Sequence, residues 1–278
     1  MTKKIKTILI TGASRGLGYS LSRILSQDGH KVYAGARKLT RHEKKLSIKN
    51  LQYIQLDITS ESSISSCINT IIKNEKKIDI LINNAAIGLI GPVDSASKMQ
   101  VKNIFDVNVF GSLNITQEVI PHMRTQESGQ IVFISSTAGI ESSSYFGLYS
   151  ATKFAIEALA FSLATTLFLW NIKVSVIQPG AMSTKFCDYL EKGDFYSKKK
   201  EPYKNFTQKS INFLKMILKQ GQDPNEVAKI ILKHINNKND YYRIQTNNYS
   251  KIIAKKHLND SDGKKIIEEN KNLIKSWF

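Results

Sequence analysis

Tyr149 and Lys153, in the stretch LYSATKFAIEALAF (residues 148–161), stand four residues apart at the head of a long apolar segment. On a helix that spacing stacks two side chains on one face, about 5–6 Å apart. A phenol with a pKa near ~10 holds its proton too tightly to cycle it at neutral pH. An ammonium one turn away favours the phenolate, which makes the pair a tunable proton donor and acceptor. Ser136, 13 residues before the tyrosine, offers a hydroxyl that can polarise and orient a substrate oxygen. Such a trio suits proton transfer at a carbonyl oxygen, provided a hydride donor lies beside it.

A place for that donor is legible earlier in the chain. TGASRGLG (11–18) follows a β-branched run and precedes a helical pattern. Gly12, Gly16 and Gly18 permit a tight turn and close backbone approach to a phosphate at a helix N-terminus, with Ser14, Arg15 and Leu17 completing the turn. The next strand ends in AGAR, so Arg37 stands where an acid would bind a ribose 2′-hydroxyl, and no Asp or Glu occurs from Lys31 to Arg41. Arg15 and Arg37 together favour a 2′-phosphate, and hence NADP(H) over NAD(H).

The elements that must position these groups alternate. IKTILIT (5–11), HKVYAGA (30–36), LQYIQL (51–56), IDILIN (78–83), QIVFIS (130–135) and IKVSVIQ (172–178) are continuous apolar runs, as expected of strands covered on both faces. The intervals between them leave room for helices. The pattern predicts an α/β fold: a doubly wound parallel sheet of Rossmann type, three-layered, with Gly29 closing the first helix and Ser60–Glu61 opening a later one. After Thr184, KFCDYLEKGDFYSKKKEPYKNFTQKS shows little periodicity and reads as a mobile loop or a lid at about 185–220. PNEVAKIILKHI, opened by Pro224, is an amphipathic helix, and YYRI (241–244) a candidate edge strand. We expect one domain over residues 1–245 and a helical extension over 246–278, with no internal repeat. Arg243, beside the last strand, serves either the fold or the tail.

Taken together, TGASRGLG, LDIT (56), NNAA (83), DVNVFG (106), VFISSTAG (132), YSATK (149) and PGAMST (179) resemble the short-chain dehydrogenases/reductases with a Tyr-x-x-x-Lys active site. The resemblance implies Tyr149 as acid/base, Lys153 as its tuner and a donor to the nicotinamide ribose, and Ser136 on the substrate oxygen. It implies that Asn108 holds a helix kink and a proton-relaying water. Asp57 would meet the adenine amino group with Ile58 beside it, and Asn84 and Ala85 would line the adenosine side. Pro179, Gly180, Met182 and Thr184 would hold the carboxamide. One departure is Ala86, where the family usually has glycine. The tail, YYRIQTNNYSKIIAKKHLNDSDG, is similar to that of the steroid- and retinoid-type dehydrogenases. Association into a homodimer or homotetramer, through helices near 101–123 and 150–170, is implied in the same way.

Composition narrows the remaining classes. An apolar share of 41% supports a core, and 23% charge is ordinary for a soluble protein. Lys and Arg number 40 against 23 Asp and Glu, a net +17 that is densest in the shorter C-terminal part. No zinc-finger, RNA-binding or helix-turn-helix pattern accompanies it, so no nucleic-acid partner is expected. Two cysteines form no disulfide framework, and none of the five histidines has metal-binding spacing, so no metal site is expected. The uncharged run from Ala158 to Ile172 is too short to span a bilayer, and the N-terminus has no room for a signal region, which points to a cytoplasmic setting. Ile140, Tyr145, Phe146, Phe186, Tyr189, Leu190, Phe195 and Tyr196 either form a wall suited to a lipophilic or ring-shaped carbonyl or alcohol, or pack the lid onto the body. The alternatives are a 3-oxoacyl-thioester-type reductase and a non-catalytic NADP(H)-binding module.

Overall fold

Strands without polar alternation must be covered on both faces, and the chain solves this with helices on each side of one sheet. The computed structural model describes residues 4–40, 48–192, 204–237 and 241–275. Its strands are β1 (Thr7–Ile10), β2 (Lys31–Ala36), β3 (Leu51–Gln55), β4 (Ile80–Asn83), β5 (Leu89–Ile90), β6 (Gly129–Ile134), β7 (Ile172–Gln178), β8 (Glu191–Lys192) and β9 (Arg243–Gln245). Seven of them form a parallel sheet in the order β3-β2-β1-β4-β6-β7-β9. The chain winds outward in one direction from β1 and in the other from β4, so a crevice opens between those strands at their carboxyl ends.

The helices are α1 (Gly16–Gln27), α2 (Glu61–Glu75), α3 (Lys98–Phe105), α4 (Ser112–Thr125), α5 (Gly147–Thr166), α6 (Lys204–Lys219), α7 (Pro224–Asn236), α8 (Asn248–His257) and α9 (Lys264–Lys275). On one face Ile64, Ile68 and Ile71 of α2, Ile115 and Val119 of α4, and Ile156 and Ala160 of α5 pack on Leu9, Leu81, Phe133 and Val176. On the other, Leu17, Leu21 and Leu25 of α1 and Val227, Ala228 and Ile231 of α7 pack on Ile8, Ile10, Ile82 and Val132. Truncating one of these fully enclosed side chains to alanine would cost about 2–5 kcal/mol. Helix starts follow local chemistry: the Ser60 side chain accepts from the Ser63 amide, and Asp223 caps α7 with Pro224 in its first turn.

Two sequence expectations need revision. The stretch read as aperiodic after Thr184 holds a 3₁₀ turn (Lys185–Tyr189), strand β8 paired with β5, and the start of α6. The buried positions of α6, Thr207, Ile211 and Leu218, are dispersed among lysines and exposed aromatics, which masks the helical period. The apolar segment of α5 with its following 3₁₀ turn runs over Gly147–Trp170, so by length and composition alone it could cross a membrane, which the shorter reading had excluded. It packs on the sheet as a layer of the fold. The tail forms the expected helical extension and docks on the body: Ile267 of α9 belongs to the same core cluster as Ile156 and Tyr242, while Ile253 and Ala254 of α8 cover Ile140.

Candidate active site

Ser136 lies two residues beyond the last residue of β6, and Tyr149 and Lys153 occupy successive turns of α5. Both α5 side chains are buried. The Ser136 side chain faces the Tyr149 hydroxyl, and Ser136 Oγ accepts from the Ala138 amide at 3.1 Å. Lys153 Nζ donates to the Ile134 carbonyl at 2.8 Å and lies 5.6 Å from the centroid of the Tyr149 ring. The trio therefore converges at the end of β6, with Phe146 (4.6 Å between centroids) and Phe186 (5.8 Å) enclosing the phenol.

That enclosure bears on both ionisations. Burial raises the Tyr149 pKa above its ordinary value, only partly opposed by the Ser136 hydrogen bond. Burial also lowers Lys153 to about 8, opposed by the negative charge of Glu157. Desolvation thus favours the neutral phenol, the direction opposite to the one an ammonium one turn away would give by itself.

Ser136, Tyr149 and Lys153 line one cleft of about 1790 Å³ that continues to the glycine turn. At that end, Gly12 adopts φ 65°, and a Cβ there would lie 2.7 Å from Ala85 Cα. Helix α1 starts at Gly16 with no side-chain cap, leaving its first amides for an anion. Asn84 Nδ2 donates to the Thr11 and Gly12 carbonyls at 2.9 and 3.1 Å, tying the turn to β4. An uncapped N-terminus beside a turn that admits no side chain fits the phosphates of a dinucleotide.

The cleft brings together Gly12, Ser14, Arg15, Gly16, Leu17, Arg37, Asp57, Ile58, Asn84, Ala85, Ser136, Tyr149, Lys153, Pro179, Gly180, Met182 and Thr184, with Ala86 among them. Gly18 and Asn108 stand behind it. A Cβ on Gly18 would meet the Gly12 carbonyl at 2.4 Å, so this glycine lets α1 pack against the turn. Asn108 sits in a π-helical turn (Asp106–Gly111), pairs with both backbone groups of Ile87, and donates to Thr152 Oγ1 at 3.1 Å; that hydroxyl donates to the Tyr149 carbonyl. Asp57 Oδ1 accepts from the Thr59 amide and hydroxyl. Arg15 stacks on Tyr189, 3.5 Å from its centroid, and Arg37 is exposed just past β2. Of the apolar wall, Phe146, Phe186 and Tyr189 line the cleft, whereas Ile140 packs under α8 and Leu190 lies against Gly88. Tyr145 is not among the cleft-lining residues, and Phe195 and Tyr196 lie outside the described residues.

Glu157 was missed. It continues the Tyr149–Lys153 stripe by one more turn and is buried, accepting from Gln178 Nε2 at 2.9 Å and from Arg243 Nε at 3.3 Å. Gln178 in turn accepts from Gln245 at 2.6 Å, and the Tyr242 hydroxyl donates to the Glu157 carbonyl at 3.0 Å. Arg243 thus serves α5, holding the side chain whose charge opposes the lowering of the Lys153 pKa. The available signal was the four-residue interval from Lys153 to Glu157. Among the described residues, no group of three or more His, Cys, Asp or Glu is arranged to hold a metal ion.

Comparison with known proteins agrees with this geometry. A family model described as short chain dehydrogenase matches residues 6–194. Retinol dehydrogenase 8 of Homo sapiens is 31% identical over 97% of this chain and 90% of its own length. The 3-ketodihydrosphingosine reductase of Bacteroides thetaiotaomicron is 31% identical over 90% of each. The crystal structure of a short-chain dehydrogenase from Streptomyces avermitilis superposes with a TM-score of 0.82 at 25% identity, covering 97% of this chain and 99% of that one.

Proposed function

Because the chain belongs to the short-chain dehydrogenase family, we propose that it interconverts a carbonyl and a secondary alcohol on a lipophilic or ring-shaped substrate, with NADP(H) as cofactor. One observation carries the reading: Ser136, Tyr149 and Lys153 meet at one end of a cleft whose other end is a glycine turn opening an uncapped helix. When bound, the nicotinamide cofactor supplies the hydride and, in its oxidised form, a positive charge. Arg15 and Arg37 would bind the 2′-phosphate, Arg15 first leaving Tyr189. Gly12, Ser14, Gly16 and the α1 amides would hold the pyrophosphate, with Asp57, Ile58, Asn84 and Ala85 around the adenosine and Pro179, Gly180, Met182 and Thr184 around the carboxamide.

In reduction, Ser136 Oγ orients the substrate oxygen and Tyr149 Oη gives it a proton. Lys153 stabilises the phenolate left behind, and Asn108 anchors the α5 backbone through Thr152. In oxidation the proton returns to Tyr149 along the same path. The apolar lining, which includes Ile90, Phe146, Phe186, Leu214 and Ile217, favours a lipophilic substrate. Two relatives are named for retinol and a 3-keto sphingoid base, which accords with that class. The free cysteines, Cys67 and Cys187, suit a reducing cytoplasm. Phe110 and Phe154, exposed on the π-turn and α5, would be covered in a homodimer or homotetramer.

The test is NADPH oxidation over a panel of retinal, steroids, aromatic ketones, quinones and acyl thioesters, with Tyr149→Phe as control. Turnover of a lipophilic carbonyl that Tyr149→Phe abolishes, with NADPH still bound, is expected. A preference for acyl thioesters would make this a 3-oxoacyl-type reductase, and undiminished turnover in Tyr149→Phe would refute the acid role.

A further inference from the structure

We propose that the outer faces of α6 and α8 form a docking surface for an anionic lipid bilayer, placed at the mouth of the cleft. Helix α6 reads KNFTQKSINFLKMILK, with four lysines and no acidic residue. Thr207, Ile211 and Leu218 turn toward the body, yet Phe206, Phe213 and Met216 are 56%, 61% and 51% exposed. Intervals of seven and three residues put those three on one face, roughly opposite the buried one. Helix α8 is similar: Tyr249 and Ile252 are exposed near Lys251 and Lys255, while Ile253 and Ala254 are buried and Lys256 pairs with Glu141 at 3.5 Å.

Large apolar tips flanked by lysines are what an interfacial helix presents to a membrane: the tips enter the acyl boundary and the ammonium groups reach the headgroups. The charge is of one sign along α6 and belongs to a chain of net +17, which complements anionic lipid. Both helices also line the cleft, through Phe213, Leu214 and Ile217 of α6 and Tyr249 and Ile253 of α8, with Phe213 and Tyr249 both exposed and cleft-lining. A lipophilic substrate, which rests on the reading above, would pass from lipid to Tyr149 without crossing water. Docking itself is read without turnover, so the two can fail separately.

The experiment is co-sedimentation of the full chain with vesicles of phosphatidylcholine alone or mixed with phosphatidylserine. Binding to the mixed vesicles and not to the neutral ones is expected. Phe206→Ser combined with Met216→Ser, outside the cleft lining, should weaken binding roughly tenfold or more with an unchanged melting temperature. Lys209→Gln combined with Lys215→Gln should weaken it by about tenfold as well. Absence of binding to the mixed vesicles would overturn the proposal, as would equal binding by the Phe206/Met216 variant. So would a self-association in light scattering that this variant abolishes, because the face would then belong to a second copy.

Discussion

Replacing Lys153 with methionine should leave the fold at least as stable near neutral pH while removing turnover. The ammonium is enclosed against the Ile134 carbonyl at 2.8 Å, and burial takes its pKa from 10.5 to about 8. A drop of about 2.5 pH units, at ~1.36 kcal/mol each, is a penalty of about 3 kcal/mol on the protonated folded state. The sign follows from proton counting. Between pH 8 and 10.5 the unfolded chain binds more protons at this residue than the folded chain does. Stability therefore rises with pH through that window, and below it the penalty is present in full. Methionine carries no charge and a similar stem, but it leaves the Ile134 carbonyl without this donor, at a cost of about 1–3 kcal/mol. The variant should thus match or exceed the native protein by up to ~2 kcal/mol at pH 7 and fall behind it by pH 10–11. Urea denaturation of both proteins across that range, compared pairwise so that the other lysines cancel, reads the difference directly. A difference that does not change with pH would refute the argument, since the cost would then come from lost packing and not from a buried charge.

Other consequences are open to measurement. Arg37→Glu should weaken NADPH binding by roughly 10–100-fold while sparing NADH, because a charge-assisted hydrogen bond is worth about 1.5–3 kcal/mol; thermal shifts with each dinucleotide will show it. Glu157→Gln removes the carboxylate that supports the Lys153 charge, so the Lys153 pKa should fall below about 8. The corresponding limb of the kcat/KM profile should move to lower pH. Gly12→Ala places a Cβ 2.7 Å from Ala85 Cα at φ 65°, so the turn must shift and dinucleotide binding should be lost, read by fluorescence titration with NADPH.

Much of the site was readable along the chain because its logic is local. The glycine turn follows a strand within a few residues, and the Tyr149–Lys153 pair is one helical turn long. The continuous apolar runs declare strands covered on both faces, and six of them lie where strands form. What stayed hidden depends on residues far apart. Glu157 meets Arg243 across 86 positions, and Arg15 meets Tyr189 only because the segment after Thr184 folds back to pair β8 with β5. Helix α6 escaped notice because its outward face carries Phe206 and Phe213 where a helix wholly exposed to water would be polar, which blurs the period. The amino-acid sequence by itself determined the alternation of strands and helices, the glycine turn after the first strand and the one-turn spacing of Tyr149 and Lys153, since each rests on neighbours within a turn or two. Only the tertiary structure decided the ionisation of that pair and the company it keeps, since desolvation is a property of the assembled pocket and has no signature in residue spacing.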